Sequence, residues 1–239
     1  MTTLEARYRA VQQRLRQAAL AAGRDPGQLR LLAVSKTFPP DAVRALAALG
    51  QTAFGENYVQ EAQAKIAALE DLPALEWHFI GPIQSNKTGV IARCFDWVHS
   101  IEREAIAERL SRQRLDAGLA PLPVCIQVNV SGEASKHGCT PQDARALARA
   151  VGALPGLALR GVMAIPEPTP DTEVLRARFA QAARVLDAVR ADARASGADA
   201  GRLDTLSMGM SADLEPAVAE GATIVRVGSA LFGARPARA

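Results

Sequence analysis

The chain has 239 residues, of which 49% are apolar and 4% aromatic, with a formal net charge of +3. That length suits one large domain or two small ones, and the apolar share is enough for a sizeable core. Basic and acidic residues are mixed along the chain, and the few aromatics leave little to stack on bases, which argues against a nucleic-acid partner. The densest basic stretch, Arg7, Arg9, Arg14 and Arg16, interleaves with an apolar stripe and reads as a solvated helix face. Cys94, Cys125 and Cys139 fit neither a C-x-x-C motif nor a paired disulfide framework. His78, His99 and His137 show no metal-ligand spacing. The start, Met1-Thr2-Thr3-Leu4-Glu5, carries an acid and no apolar signal core. No run of about 18 apolar residues exists to span a bilayer. The expectation is a cytoplasmic, reduced protein with no membrane partner.

Leu4, Tyr8, Val11, Leu15 and Ala18 recur at helical spacing, which predicts an opening amphipathic helix closed by Gly23 and Pro26. Strand-like and helix-like segments then alternate. The predicted strands are Leu29–Ser35, Ala53–Gly55, Trp77–Gly81, Trp97–Ile101, Val124–Val130, Leu159–Ile165, Thr205–Met208 and Ile224–Val227. Several are nearly continuous apolar runs, as strands buried on both faces should be. Helical patterns lie between them at Asp41–Leu49, Val59–Leu69, Lys87–Cys94 and Glu102–Ala117. Thr140-Pro141-Gln142-Asp143 reads as a helix start. Leu175, Phe179, Ala182, Leu186, Val189 and Ala193 stripe a long helix, and Ser211 with Asp213 opens the next. Eight strand–helix units at this length predict one (β/α)₈ barrel spanning residues 1–239, with an extra N-terminal helix. The rival is an open flavodoxin-like or Rossmann sheet. It would need fewer strands and usually a glycine-rich first turn, whereas the first turn here is Ser35-Lys36-Thr37-Phe38-Pro39.

In such a barrel the chemistry sits at the C-terminal strand ends. Strand one delivers Lys36, whose amine, if desolvated, could attack an aldehyde; its plainer role is to mark where the strand meets water. Strand two delivers Glu56-Asn57-Tyr58, strand three His78, strand five Asn129 and Ser131, and strand six Met163. Strand seven delivers Ser207-Met208-Gly209 and strand eight Arg226-Val227-Gly228-Ser229. The loops after strands seven and eight often build a phosphate site in this fold. Gly228 would let backbone approach an anion, and Ser207 and Ser229 would add hydroxyl donors. Arg226 either points to an outer salt bridge or sits inside the mouth, donating to a ring nitrogen or phosphate. A lysine, a phosphate cradle and an arginine together suggest pyridoxal 5′-phosphate (PLP).

The segments A-V-S-K-T at 33–37, F-G-E-N-Y-V-Q-E at 54–61, W-H-F-I-G-P-I-Q-S-N-K at 77–87, V-N-V at 128–130, G-V-M-A-I at 161–165, L-S-M-G-M-S-A-D at 206–213 and V-R-V-G-S-A-L-F-G at 225–233 cover almost the whole chain in order. On these the chain closely resembles the pyridoxal phosphate homeostasis protein family, which is related to the barrel domain of alanine racemase. The resemblance implies Lys36 as the aldimine lysine, Asn57 near the cofactor ring, and Arg226 at the pyridine nitrogen. It implies Ser207, Gly228 and Ser229 at the phosphate, with His78 and Met208 as pocket neighbours. Departures are mild: Pro82-Ile83 precedes Gln84, and the loop Ser131–Ser135 varies around the retained Lys136.

Racemases of the related fold oppose their lysine with a tyrosine from a second domain. Here the chain ends soon after the eighth strand, and its tyrosines are Tyr8 and Tyr58, of which Tyr58 reads as a packing residue. The expectation is therefore not an enzyme but a monomeric PLP carrier or buffer, with PLP-dependent apo-enzymes as candidate recipients and Lys87 and Lys136 available for transfer contacts. The alternatives are a PLP-dependent amino-acid racemase with Lys36 as base, and a Schiff-base aldolase using no cofactor.

Overall fold

A computed structural model describes residues 3–132 and 137–234. In chain order they form α1 (Leu4–Ala21), β1 (Arg30–Val34), α2 (Pro40–Ala47), β2 (Ala53–Glu56), α3 (Val59–Ala68), β3 (Glu76–Phe79), α4 (Thr88–Cys94) and β4 (Trp97–Ile101). There follow α5 (Glu104–Asp116), β5 (Leu122–Val128), α6 (Ala144–Gly152), β6 (Leu157–Ala164), α7 (Thr172–Ala195), β7 (Thr205–Ser207), α8 (Leu214–Ala219), β8 (Ile224–Val227) and the single turn α9 (Ser229–Phe232). The eight strands pair in chain order and β8 returns to β1, closing the expected (β/α)₈ barrel. The closing pair is parallel, with Leu32 opposite Arg226 and Ala33 opposite Val227.

Side chains alternate across each strand, so one set fills the barrel and the other packs under the helices. On β1, Leu31 and Ala33 join the large outer cluster with Phe54, Phe79, Phe95 and Phe179. Leu32 and Val34 turn inward onto Ala53, Ile80 and Ile224. A second apolar group, Trp97, Cys125 and Met163, fills another part of the lumen. Each large side chain removed from water contributes about 1.5–3 kcal/mol, so the outer layer dominates the stability. Helix starts follow capping chemistry: Thr3 accepts from Ala6 N–H at 3.1 Å, and Asp171 accepts from Glu173 N–H at 2.9 Å.

Thr140 opens a helix as expected: it accepts from the Asp143 N–H at 3.1 Å, its carbonyl accepts from the Ala144 N–H at 3.0 Å, and the turn at 141–143 runs directly into α6. Two expectations need correction. The opening arginines are not merely solvated. Arg14 pairs with Glu215 and donates to Ser211 O at 2.7 Å, while Arg7 Nε donates to Leu231 O at 2.6 Å, tying α1 to α8 and α9. Tyr58 is 45% exposed rather than packed. Among the described residues no helix is long and apolar enough to cross a membrane.

Candidate ligand-binding site

Closure of the barrel sets β1 beside β8, so the two ends richest in candidate chemistry are neighbours. Half-buried Lys36 follows β1 in a turn, and Thr37 after it adopts φ 69°, a left-handed backbone that is rare for a β-branched residue. Gly228 follows β8, and a Cβ placed on it would lie 3.4 Å from Val34 O and 3.5 Å from Val34 Cβ. The Lys36 turn and the Gly228–Ser229 turn therefore share one side of the mouth. In α9 the first backbone bonds run from Leu231 and Phe232 to Gly228 O, which leaves the N–H groups of Ser229 and Ala230 ahead of the helical ladder. Ser229 is exposed and Gly228 half-buried.

Arg226 lies inside the barrel, not in an outer salt bridge. Its Nη1 donates to Ser207 O at 2.7 Å and Ser207 Oγ at 2.8 Å, and Nη2 donates to Ala164 O at 2.9 Å. Burial pulls its pKa down to about 10, so the guanidinium stays charged at neutral pH. Fixed carbonyls and a hydroxyl orient it from three points, as an immobile donor requires.

A string of polar groups runs from this arginine down the lumen. The Ser207 hydroxyl lies 2.8 Å from His99 Nδ1, and His99 Nε2 lies 2.8 Å from His78 Nδ1. His78 Nε2 lies 3.1 Å from Glu76 Oε1, although not aligned as a full hydrogen bond. Glu76 in turn pairs through both oxygens with Arg30 at the start of β1. His78 stacks on Trp97 with ring centres 5.5 Å apart and planes 8° from parallel. Burial holds both imidazoles below the ordinary histidine pKa, His99 well below it, helped by the nearby cations. Burial alone would raise Glu76, but the close approach of His78 and the hydrogen bonds from Arg30 bring it to about 2. A charged His78 is inconsistent with its own depressed pKa, so the lasting support for the Glu76 carboxylate is Arg30.

The other expected residues separate. Asn57 sits at the β2 end, with Oδ1 buried and lacking a hydrogen-bond partner, and Gly81 packs so tightly on it that a Cβ would fall 2.4 Å from Asn57 O. Ser207 is fully buried, with its hydroxyl committed to Arg226 and His99 rather than offered to the mouth. Met208 is fully buried in the outer cluster, on the opposite face of β7 from Ser207. His78 lies deep in the lumen, and Lys136 lies outside the described residues. Sequence reasoning missed His99, although Trp97 and His99 alternate on β4 as lumen residues should. It also missed the Glu56–Lys65 pair behind Lys36. A groove of about 590 Å³ between α6 and α7, lined by Arg145, Ala148, Val189 and Asp192, is separate from this mouth. Among the described residues no cluster of three His, Cys, Asp or Glu side chains could hold a metal ion.

Residues 6–236 match the family of the alanine racemase N-terminal domain. The pyridoxal phosphate homeostasis protein of Pseudomonas aeruginosa is 58% identical over 235 residues, which cover 98% of this chain and 97% of that one. The chain belongs to the pyridoxal phosphate homeostasis protein family. The family's fold also appears among solved structures. An unknown protein from Bifidobacterium adolescentis superposes with a TM-score of 0.90 at 35% identity, covering 96% of this chain and 94% of its own. PipY of Synechococcus elongatus, solved with PLP bound, gives a TM-score of 0.77 at 40% identity, covering 91% of this chain and 98% of its own.

Proposed function

We propose that this chain, acting as one barrel unit, binds PLP reversibly through Lys36 and serves cofactor homeostasis as a carrier or buffer, without turnover of its own. The observation that carries this reading is the adjacency of the β1 and β8 ends in a member of this family. It brings the turn that carries Lys36, the strand that carries Arg226 and the Gly228–Ser229 turn to neighbouring strand ends. The residues present fit the ligand. Lys36 supplies an amine for the aldehyde: the amine adds to the carbonyl carbon and water leaves. Arg226 supplies a donor for the ring nitrogen, and Gly228 and Ser229 supply backbone and hydroxyl donors for the phosphate. The orphaned Asn57 Oδ1 supplies an acceptor beside the ring. Ser207 acts behind Arg226 by holding it, a support role rather than a phosphate contact.

PLP supplies an electrophilic aldehyde and, when its ring nitrogen is protonated, an electron sink. A permanently charged Arg226 disfavours that protonation, which suits storage better than carbanion chemistry. Relatives are named for homeostasis of the cofactor rather than for a reaction. The same reading includes a monomer in the cytoplasm, with PLP-dependent apo-enzymes as recipients. The test is the visible absorption spectrum with and without added PLP, beside Lys36→Ala. A yellow band in the wild type that is lost in the variant supports the reading; no band with excess PLP sinks it. Amino-acid turnover above the Lys36→Ala control would replace the carrier with a racemase or related enzyme.

A further inference from the structure

Behind the Lys36 turn, between the barrel wall and α3, lies a buried group of charges that the binding site does not use. Lys65 Nζ, on a side chain 2% exposed, donates to Ser35 O at 2.8 Å, Glu56 Oε1 at 2.5 Å and Glu61 Oε1 at 3.1 Å. An ammonium has three N–H donors, and these are three acceptors. Glu56, whose side chain is fully buried, also accepts from the Ser35 hydroxyl at 2.6 Å. Glu61 Oε1 also accepts from the Thr37 N–H at 2.5 Å. The carbonyl of residue 35 and the N–H of residue 37 are thus tied, directly and through Glu61, to one ammonium. Lys36 is the residue between them.

We propose that Glu56, Glu61 and Lys65 are positioning residues that fix the backbone from which the Lys36 amine reaches its aldehyde. The proposal rests on the PLP-binding reading above. Two observations point the same way. A buried ion pair adds little net stability over a well-packed neutral pair, because desolvation offsets the attraction. Its value here lies in directionality: three acceptors at fixed angles set the turn. Thr37, at φ 69°, is held in a conformation it would otherwise leave, and the Glu61 bond to its N–H is the restraint. A lysine stem is long and flexible, so attachment to a small aldehyde depends on how firmly its base is placed.

The test uses the full-length protein and the paired variant Glu56→Gln with Lys65→Met, which removes both buried charges at nearly constant volume. Attachment is read by borohydride reduction of the C=N bond and mass spectrometry of the Lys36 peptide, at PLP below saturation. Binding of pyridoxamine 5′-phosphate, which carries an amine in place of the aldehyde, is measured alongside. The expected result is a folded variant with trapped attachment reduced at least about tenfold and pyridoxamine 5′-phosphate affinity within about twofold of wild type. Equal attachment, or a parallel loss of both, would overturn the proposal. If the paired variant does not fold, Glu61→Ala at a partly exposed position repeats the comparison. A drop of at least about threefold in attachment alone is then expected, and no change overturns the idea. Wild-type protein that traps no PLP at Lys36 would instead overturn the cofactor reading beneath it.

Discussion

His99 Nε2 meets His78 Nδ1 at 2.8 Å inside the barrel, and that contact couples the protons of the whole polar string. The Glu76 carboxylate 3.1 Å from His78 Nε2, although outside hydrogen-bond alignment, favours by its charge the tautomer with the proton on Nε2 and Nδ1 accepting. His99 must then donate from Nε2, accept at Nδ1 and take the Ser207 hydroxyl proton. The freed lone pairs of Ser207 accept from Arg226. Both rings are neutral in this arrangement, in agreement with their depressed pKa values. The Arg226 guanidinium inside the barrel is therefore supported by a directed chain ending on the Glu76 carboxylate at the start of β3.

Replacing His99 with alanine breaks this chain at its middle. It strands the Ser207 hydroxyl and His78 Nδ1, each buried, and leaves a void against Trp97, whose ring centre lies 5.9 Å away. An orphaned buried polar group costs about 1–3 kcal/mol before any cavity cost is counted. Urea unfolding of His99→Ala should show at least that loss. His99→Ala should also weaken PLP binding more than a surface control such as Arg9→Ala, because Arg226 loses part of its support. Wild-type stability in the variant would show that the string contributes nothing.

Stability should rise with pH across two windows. Both histidines are neutral when folded, with pKa values below the ordinary 6.5, so the unfolded chain binds more protons as pH falls through 6.5. Each contributes stability that is full above that pH and declines below it, by up to about 1.4 kcal/mol per pH unit. Glu76, held near 2 against an ordinary 4.5, adds stability present above 4.5 and lost as pH falls toward 2. Unfolding free energies measured from pH 8 to 4 should slope downward below 6.5, and the slope should flatten when His99 is removed. A flat profile from 6.5 to 5 would contradict neutral buried rings.

Much of this architecture was legible because the physics is local and repetitive. Trp97–Ile101 and Ile224–Val227 match the observed strands end to end, since apolar runs bounded by turn residues leave little choice. Strand ends elsewhere slipped: β5 begins at Leu122 and β6 at Leu157, where a proline or a helix-like Leu-Ala-Leu run masked the start. Lys36 and Gly228 were readable as strand-end residues. What sequence could not give is which inward side chains meet. His78, His99, Ser207 and Arg226 come from four strands, and only closure of the barrel brings them together. The Glu56–Lys65 pair hides for a related reason, because two charges nine residues apart read as solvated until the helix folds back over the strand.

The thiols should be unreactive in the native state. Burial raises Cys125 to about 12 and Cys139 to about 11, and also raises Cys94. A thiol in that range holds almost no thiolate at pH 7.5. Iodoacetamide at that pH should leave Cys125 unmodified until denaturant is added, with Cys94 and Cys139, both half-buried, reacting slowly. Rapid native modification of Cys125 would mean that the lumen opens on the labelling time scale.

Gly81→Ala tests how the mouth keeps its shape. The residue follows β3, and its missing side chain is what lets the chain pass against Asn57. A Cβ there would lie 2.4 Å from Asn57 O and 2.8 Å from Asn57 Cα, with backbone rather than a flexible tip on the other side. Asn57 cannot yield without shifting the β2 end, and Gly81 is itself braced by Ser100, which donates to Gly81 O at 2.6 Å. Overpacking of this kind costs about 1–3 kcal/mol. It should also displace Asn57 and with it the orphaned Oδ1 offered to the ligand. The expected outcome is a folded, less stable protein whose affinity for pyridoxamine 5′-phosphate falls several-fold. By contrast Gly23→Ala, at φ 66° with nothing within 4 Å, should lower stability through backbone strain alone and leave affinity intact. Equal affinities in the two variants would separate Asn57 from the binding site.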